Sequence, residues 1–106
     1  VDDRAALARA WTTIGEKPCV LEAFIPFDRE ISAIVARRPN GNVVAFPIAE
    51  NDHRRHILHT TRVPARASEA TRAQAVSFAH AIASHLGHTG VLTVELFAFD
   101  DGRLLV

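Results

Sequence analysis

The run Cys19–Ile25 alternates along its length. Val20, Glu22 and Phe24 point one way; Cys19, Leu21, Ala23 and Ile25 point the other, the period of two that predicts a strand. Pro26-Phe27-Asp28 ends it. A second strand is predicted over Arg29–Arg38 and a third over Val43–Ala49, joined by Pro39-Asn40-Gly41-Asn42. Asn-Gly between two β-rich runs is a strong hairpin signal. The polar stretch Glu50–His56 reads as a loop, and Ile57–Val63 as a further strand stopped by Pro64.

Two segments carry the helical period instead. Asp2–Ile14 sets Leu7, Trp11 and Ile14 on one face; Asp2 or Asp3 can cap it, and Gly15 ends it. Ser68 caps a longer helix reaching about Leu86, with Ala75, Ala79, Ile82 and Leu86 as its expected buried stripe. Gly90 then precedes Val-Leu-Thr-Val-Glu-Leu-Phe-Ala-Phe, which Asp101-Gly102 turns back into Arg-Leu-Leu-Val. The predicted order is helix, four strands, helix, hairpin. Strands joined by tight turns imply an α+β fold, an antiparallel sheet with helices packed on one face.

Composition narrows the function classes. The 106 residues suit one domain, and 48% apolar against 23% charged residues argues against disorder. Twelve basic residues balance twelve acidic ones, so no electrostatic case arises for nucleic acid or a membrane surface. No apolar run approaches the ~18 residues that span a bilayer, and no charged-then-apolar leader is visible. The single cysteine, Cys19, excludes an internal disulfide framework and reads as a buried structural thiol.

Glu95 is the residue least at home in its surroundings, between Val94 and Leu96-Phe97 in the most apolar strand. An ionised carboxylate there is costly unless it is paired, solvated or bound to a metal. The plain alternative is an outward position on a half-exposed sheet, shared with Thr93. A two-residue Asp101-Gly102 turn would pair Asp100 with Arg103, and would set Glu95 opposite the second position beyond Val106. An acidic residue there would repel Glu95 at ~5 Å unless a divalent cation sat between them. His53, His56 and His59 invite a zinc reading, but in an extended chain His53 and His59 lie roughly 20 Å apart, so solvated histidines are favoured. His80, His85 and His88 also lack the spacing of a ligand pair. Arg54-Arg55 reads as a solvated pair or a phosphate contact, and Glu22 and Glu30 as strand-associated acids flanking Pro26.

Three stretches together resemble a known family. They are VLEAFIPFDREISAIVARRPNGNVVAFPIAEN at 20–51, HILHTTRVPAR at 56–66 and GVLTVELFAFDDGRLLV at 90–106. They resemble the ATP-grasp ligases, and among them the N5-carboxyaminoimidazole ribonucleotide synthases, over nearly the whole chain. The resemblance implies the C-terminal-side lobe of an ATP-grasp domain, part of a longer enzyme whose glycine-rich loop lies elsewhere. It assigns Glu22, Ala23, Phe24 and Ile25 to the adenine hinge, Glu30 to the ribose hydroxyls and His53 to a nucleotide contact. Glu95 becomes one of two carboxylates holding Mg²⁺ against the phosphates of ATP. After a strand such as RLLV the family continues with Asn-Glu, and the two-residue turn would place that glutamate opposite Glu95. Position 56 departs from the pattern: the family usually has glycine where this chain has His56, and a Cβ restricts the backbone there.

The implied activity is carboxylation of 5-aminoimidazole ribonucleotide in purine biosynthesis, with bicarbonate and ATP as the other substrates. The setting is a cytoplasmic enzyme, a homodimer at full length, with no nucleic-acid or membrane partner. Another ATP-grasp ligase, or a non-catalytic interaction module that kept the fold, are the alternatives.

Overall fold

A computed structural model describes residues 1 and 3–106. Its elements are α1 (Arg4–Thr13), β1 (Arg29–Arg37), β2 (Val43–Ala45), β3 (Ala49–Arg54), β4 (Ile57–Arg62), α2 (Glu69–His85), β5 (Gly90–Ala98) and β6 (Leu104–Leu105). All pairings are antiparallel, and the sheet runs β4-β3-β1-β5-β6 with β2 also on β1. This is the expected α+β class.

β1 is the spine. β5 pairs along its whole length, Arg29↔Ala98 to Arg37↔Gly90. Its other edge is shared: β3 takes Glu30 to Ser32, and β2 takes Val35 to Arg37. The expected single strand Val43–Ala49 is therefore two, parted at Phe46-Pro47-Ile48, because proline has no N–H for a ladder. The Asn40-Gly41 hairpin forms as expected: Gly41, at φ +90°, donates its N–H to Arg38 O at 2.9 Å.

Most of the apolar burial sits on one face. Ile31, Ala33 and Val35 of β1 and Leu96 and Ala98 of β5 pack against Ala75, Ala79 and Ala83 of α2. Ser68 caps α2, its hydroxyl accepting from the Thr71 N–H at 3.0 Å. The buried stripe is Thr71, Ala75, Ala79 and Ala83. This corrects the expected one, since Ile82 is only half-buried and Leu86 is 66% exposed. A four-residue row of small side chains lets the helix lie close on the sheet; the larger side chains ride at its flank.

Three further expectations change. Glu50–His56 is no loop: β3 runs to Arg54, and Arg55-His56 make a two-residue turn into β4, with Arg54↔Ile57 paired. Its polar sequence hid a strand, because β3 and β4 lie beyond α2 and little apolar burial marks them. Both turn residues have positive φ, +52° and +63°, the geometry that favours Asn-Gly. Second, Cys19–Ile25 joins no strand in the described sheet; Cys19 is exposed rather than buried, and Phe24 is 91% exposed. Its alternation signalled two faces, but a strand also needs a partner edge. Third, α1 is capped by Asp3, whose carboxylate accepts from the Ala6 N–H at 2.6 Å, yet it buries none of its residues. Asp2 lies outside the described residues.

The β5–β6 register is also one residue off expectation. Ala98 pairs with Leu104 and Phe97 with Leu105 around a three-residue turn, Asp100-Asp101-Gly102. The Gly102 N–H donates to Phe99 O and the Phe99 N–H to Arg103 O, each at 3.0 Å, with Gly102 at φ +89°. Arg103 consequently holds Asp101 at 2.7 Å, not Asp100, which pairs with Arg29 at 2.7 Å. On this register Glu95 stands opposite the first position after Val106 rather than the second. The two positions face opposite sides of a sheet, so the cross-strand argument for an acidic neighbour of Glu95 does not hold.

Candidate functional site

Each strand whose odd or even residues enter the core turns the alternate set to the uncovered face. Glu30 and Ser32 of β1, Asn51 and His53 of β3, and Glu95 and Phe97 of β5 thus share one surface. Glu30 is in register with Asn51 on one side and Phe97 on the other. Ser32 is in register with Glu95.

Two of the residues singled out in the sequence meet directly: His53 Nδ1 contacts a carboxylate oxygen of Glu30. Both are partly shielded, with side-chain exposures of 35% and 26%. Beside them is a cavity of about 180 Å³ lined by Glu30, Asn51, His53, Glu95, Phe97 and Val106. Glu95 is exposed rather than embedded, so its ionised form carries little desolvation cost. The apolar neighbours in its strand alternate onto the α2 side.

Residues 22–25 lie apart from this pair but border it. With Phe27, Phe97, Leu105 and Val106 they line a groove of about 590 Å³. Phe27 stacks on Phe97, ring centroids 4.2 Å apart and planes 2° from parallel, forming a flat apolar shelf between groove and cavity. Sequence reasoning assigned no role to Phe27, Phe97, Ser32 or Asn51. Parity was the available signal, since Ser32 follows Glu30 by two and Asn51 precedes His53 by two.

Two other acids are held in ion pairs within the chain. Glu50 is buried on the opposite face of β3, accepting from the Arg66 backbone N–H at 2.8 Å and from its guanidinium. The Arg66 side-chain bond holds the Glu50 carboxyl below its ordinary range, against the opposing effect of burial. The Asp101 carboxyl is likewise lowered, chiefly by the Arg103 backbone N–H.

Among the described residues no group of three or more His, Cys, Asp or Glu side chains is placed to hold a metal. Among the described residues no helix is long and apolar enough to cross a membrane. Magnesium asks less of a protein than zinc, since it keeps waters and takes one or two carboxylates plus substrate phosphates. An accessible carboxylate at the rim of a cavity, as Glu95 is, fits one such place.

Known proteins resemble this chain in sequence and in fold. A family model described as an ATP-grasp domain matches residues 1–106. An N5-carboxyaminoimidazole ribonucleotide synthase of Brucella melitensis is 41% identical over 97% of the chain, and that of Bacillus subtilis 37% over 100%. The chain spans only 28% of the length of each. The crystal structure of an ADP complex of an N5-carboxyaminoimidazole ribonucleotide synthetase superposes with a TM-score of 0.88. It is 38% identical, over 98% of this chain and 28% of that one.

Proposed function

Given that the chain belongs to the ATP-grasp family, we propose that it is one lobe of an ATP-dependent ligase. The ligase carboxylates 5-aminoimidazole ribonucleotide with bicarbonate, giving N5-carboxyaminoimidazole ribonucleotide in purine biosynthesis. The observation that carries this reading is the Glu30–His53 pair, set on the uncovered face beside the cavity it shares with Glu95.

Glu22, Ala23, Phe24 and Ile25 supply the adenine hinge. They belong to no strand of the described sheet, so apart from the Ile25 carbonyl, which accepts from the Phe27 N–H at 3.0 Å, their backbone groups are open to a planar base, and the Phe27–Phe97 shelf lies next to it. Glu30 accepts hydrogen bonds from the ribose hydroxyls. His53 fixes the Glu30 carboxylate from the side and contributes the second nucleotide contact. Glu95 supplies one carboxylate for Mg²⁺, and its counterpart comes from outside the described residues. When bound, Mg²⁺ neutralises charge that develops on the transferring phosphoryl oxygens.

In the reaction, the γ-phosphoryl group of ATP passes to bicarbonate, and the exocyclic amine of the ribonucleotide takes the activated carboxyl as phosphate leaves. This lobe grips and orients; it offers no evident general base. The family resemblance extends the proposal to a cytoplasmic homodimer at full length.

The test uses the full-length protein. Phosphate release from ATP should require both bicarbonate and aminoimidazole ribonucleotide, and Glu30→Gln should raise KM for ATP about tenfold or more as a charge-assisted bond is lost. Release indifferent to the ribonucleotide would assign the lobe to another ATP-grasp ligase, and absence of any nucleotide binding would leave a non-catalytic module.

A further inference from the structure

Among the described residues Ser32 is the buried polar side chain of the uncovered face, only 6% exposed. Its hydroxyl oxygen accepts from Asn51 Nδ2 at 2.7 Å, while Asn51 Oδ1 accepts from the Thr61 hydroxyl at 3.1 Å. The three residues step across β1, β3 and β4, with Asn51 in register with Thr61. With the Asn51 amide in this orientation, donation runs from Thr61 to Asn51 to Ser32. A serine hydroxyl that accepts one bond keeps a proton to donate. The residue that the register sets directly across from Ser32, on the same face, is Glu95. Its carboxylate is a pure acceptor within cross-strand reach.

A buried polar chain is costly unless its members are satisfied, and when satisfied it holds them rigidly. Within this one, the hydroxyl proton of buried Ser32 is left to donate. We propose that Ser32, backed by Asn51 and Thr61, is a positioning residue that donates to the Glu95 carboxylate and holds it toward the shared cavity. Without it, an exposed glutamate would sample several rotamers, and ordering one on ligand binding would weaken that binding. The inference rests on the reading of Glu95 as a carboxylate for the magnesium–phosphate group.

The test measures binding of ADP to the full-length protein by calorimetry, with Mg²⁺ and with EDTA, in Ser32→Ala, Ser32→Thr, Thr61→Val and Glu95→Gln. Ser32→Ala should weaken Mg·ADP binding about tenfold and leave metal-free ADP binding unchanged. Ser32→Thr should restore it. Thr61→Val, at an exposed position, should weaken it about threefold and carries the test if Ser32→Ala unfolds. Adding Ser32→Ala to Glu95→Gln should change nothing further. If Glu95→Gln removes the Mg²⁺ dependence while Ser32→Ala and Thr61→Val do not touch it, this inference fails and the Glu95 reading stands. If Glu95→Gln leaves that dependence intact, the Glu95 reading itself fails. Equal weakening with and without Mg²⁺, or no rescue by threonine, reduces Ser32 to a packing role and overturns the proposal.

Discussion

On the helix-covered face of the sheet, Ile31, Ala33 and Val35 of β1 meet Ala75, Ala79 and Ala83 of α2. On the other face the alternate residues of the same strand begin with Glu30 and Ser32, and β5 adds Glu95 and Phe97. One nine-residue strand therefore serves as core on one side and as the proposed ligand surface on the other. The first face is specified by volume, since close packing leaves no room for error. The second is specified by hydrogen-bond direction and charge, and tolerates exposure. Substitutions on the two faces should fail in opposite ways.

The largest effect is expected from Glu95→Gln in the full-length protein. Phosphate release should fall at least about 100-fold, a loss of about 2.7 kcal/mol of transition-state stabilisation. Its melting temperature should hardly move, because Glu95 is exposed. A variant that lost stability instead would erase the distinction between the faces. Ala79→Leu should show the reverse signature. It overfills the fully buried helix–sheet contact and should cost about 2 kcal/mol, read as a lower urea midpoint, with KM for ATP unchanged in the folded protein.

Glu50 sharpens the comparison, being a charged residue on the helix-covered side, in register with Ile31. Its carboxyl is lowered in the folded chain by the Arg66 bond, so ionised Glu50 favours folding. That contribution is complete above the unfolded carboxyl pKa, about 4.3, and is lost as pH falls through the lower folded value. Glu50→Gln should cost about 1.5 kcal/mol at pH 7 and should flatten the acid limb of a stability–pH series. Activity at neutral pH should persist. The smallest effect is expected at the β3–β4 turn. His56→Gly relieves a side chain from φ +63° and should stabilise by about 1 kcal/mol, seen as a modest rise in melting temperature.

Much of the fold was legible in the chain. Ser68 as cap, the Asn40-Gly41 hairpin and the strands Arg29–Arg37 and Gly90–Ala98 follow from local chemistry: a capping hydroxyl, a turn needing positive φ, a period of two. The site was legible as a set of residue types, and the face shared by Glu30 and Ser32 followed from parity. The strand β3 was hidden because both its faces lie beyond the helix, leaving no apolar alternation to read.

Sequence alone determined which residues belong to the strands of the core, which acids stand out there, and which family the text resembles, since each is local. Tertiary structure decided who faces whom: His53 against Glu30, Ser32 beside Glu95, Arg103 with Asp101 rather than Asp100. Alternation fixes the face a side chain takes but says nothing of its neighbour across the ladder. Register depends on the length of each turn, and a single residue more or less in the turn at Gly102 exchanges every partner along the edge.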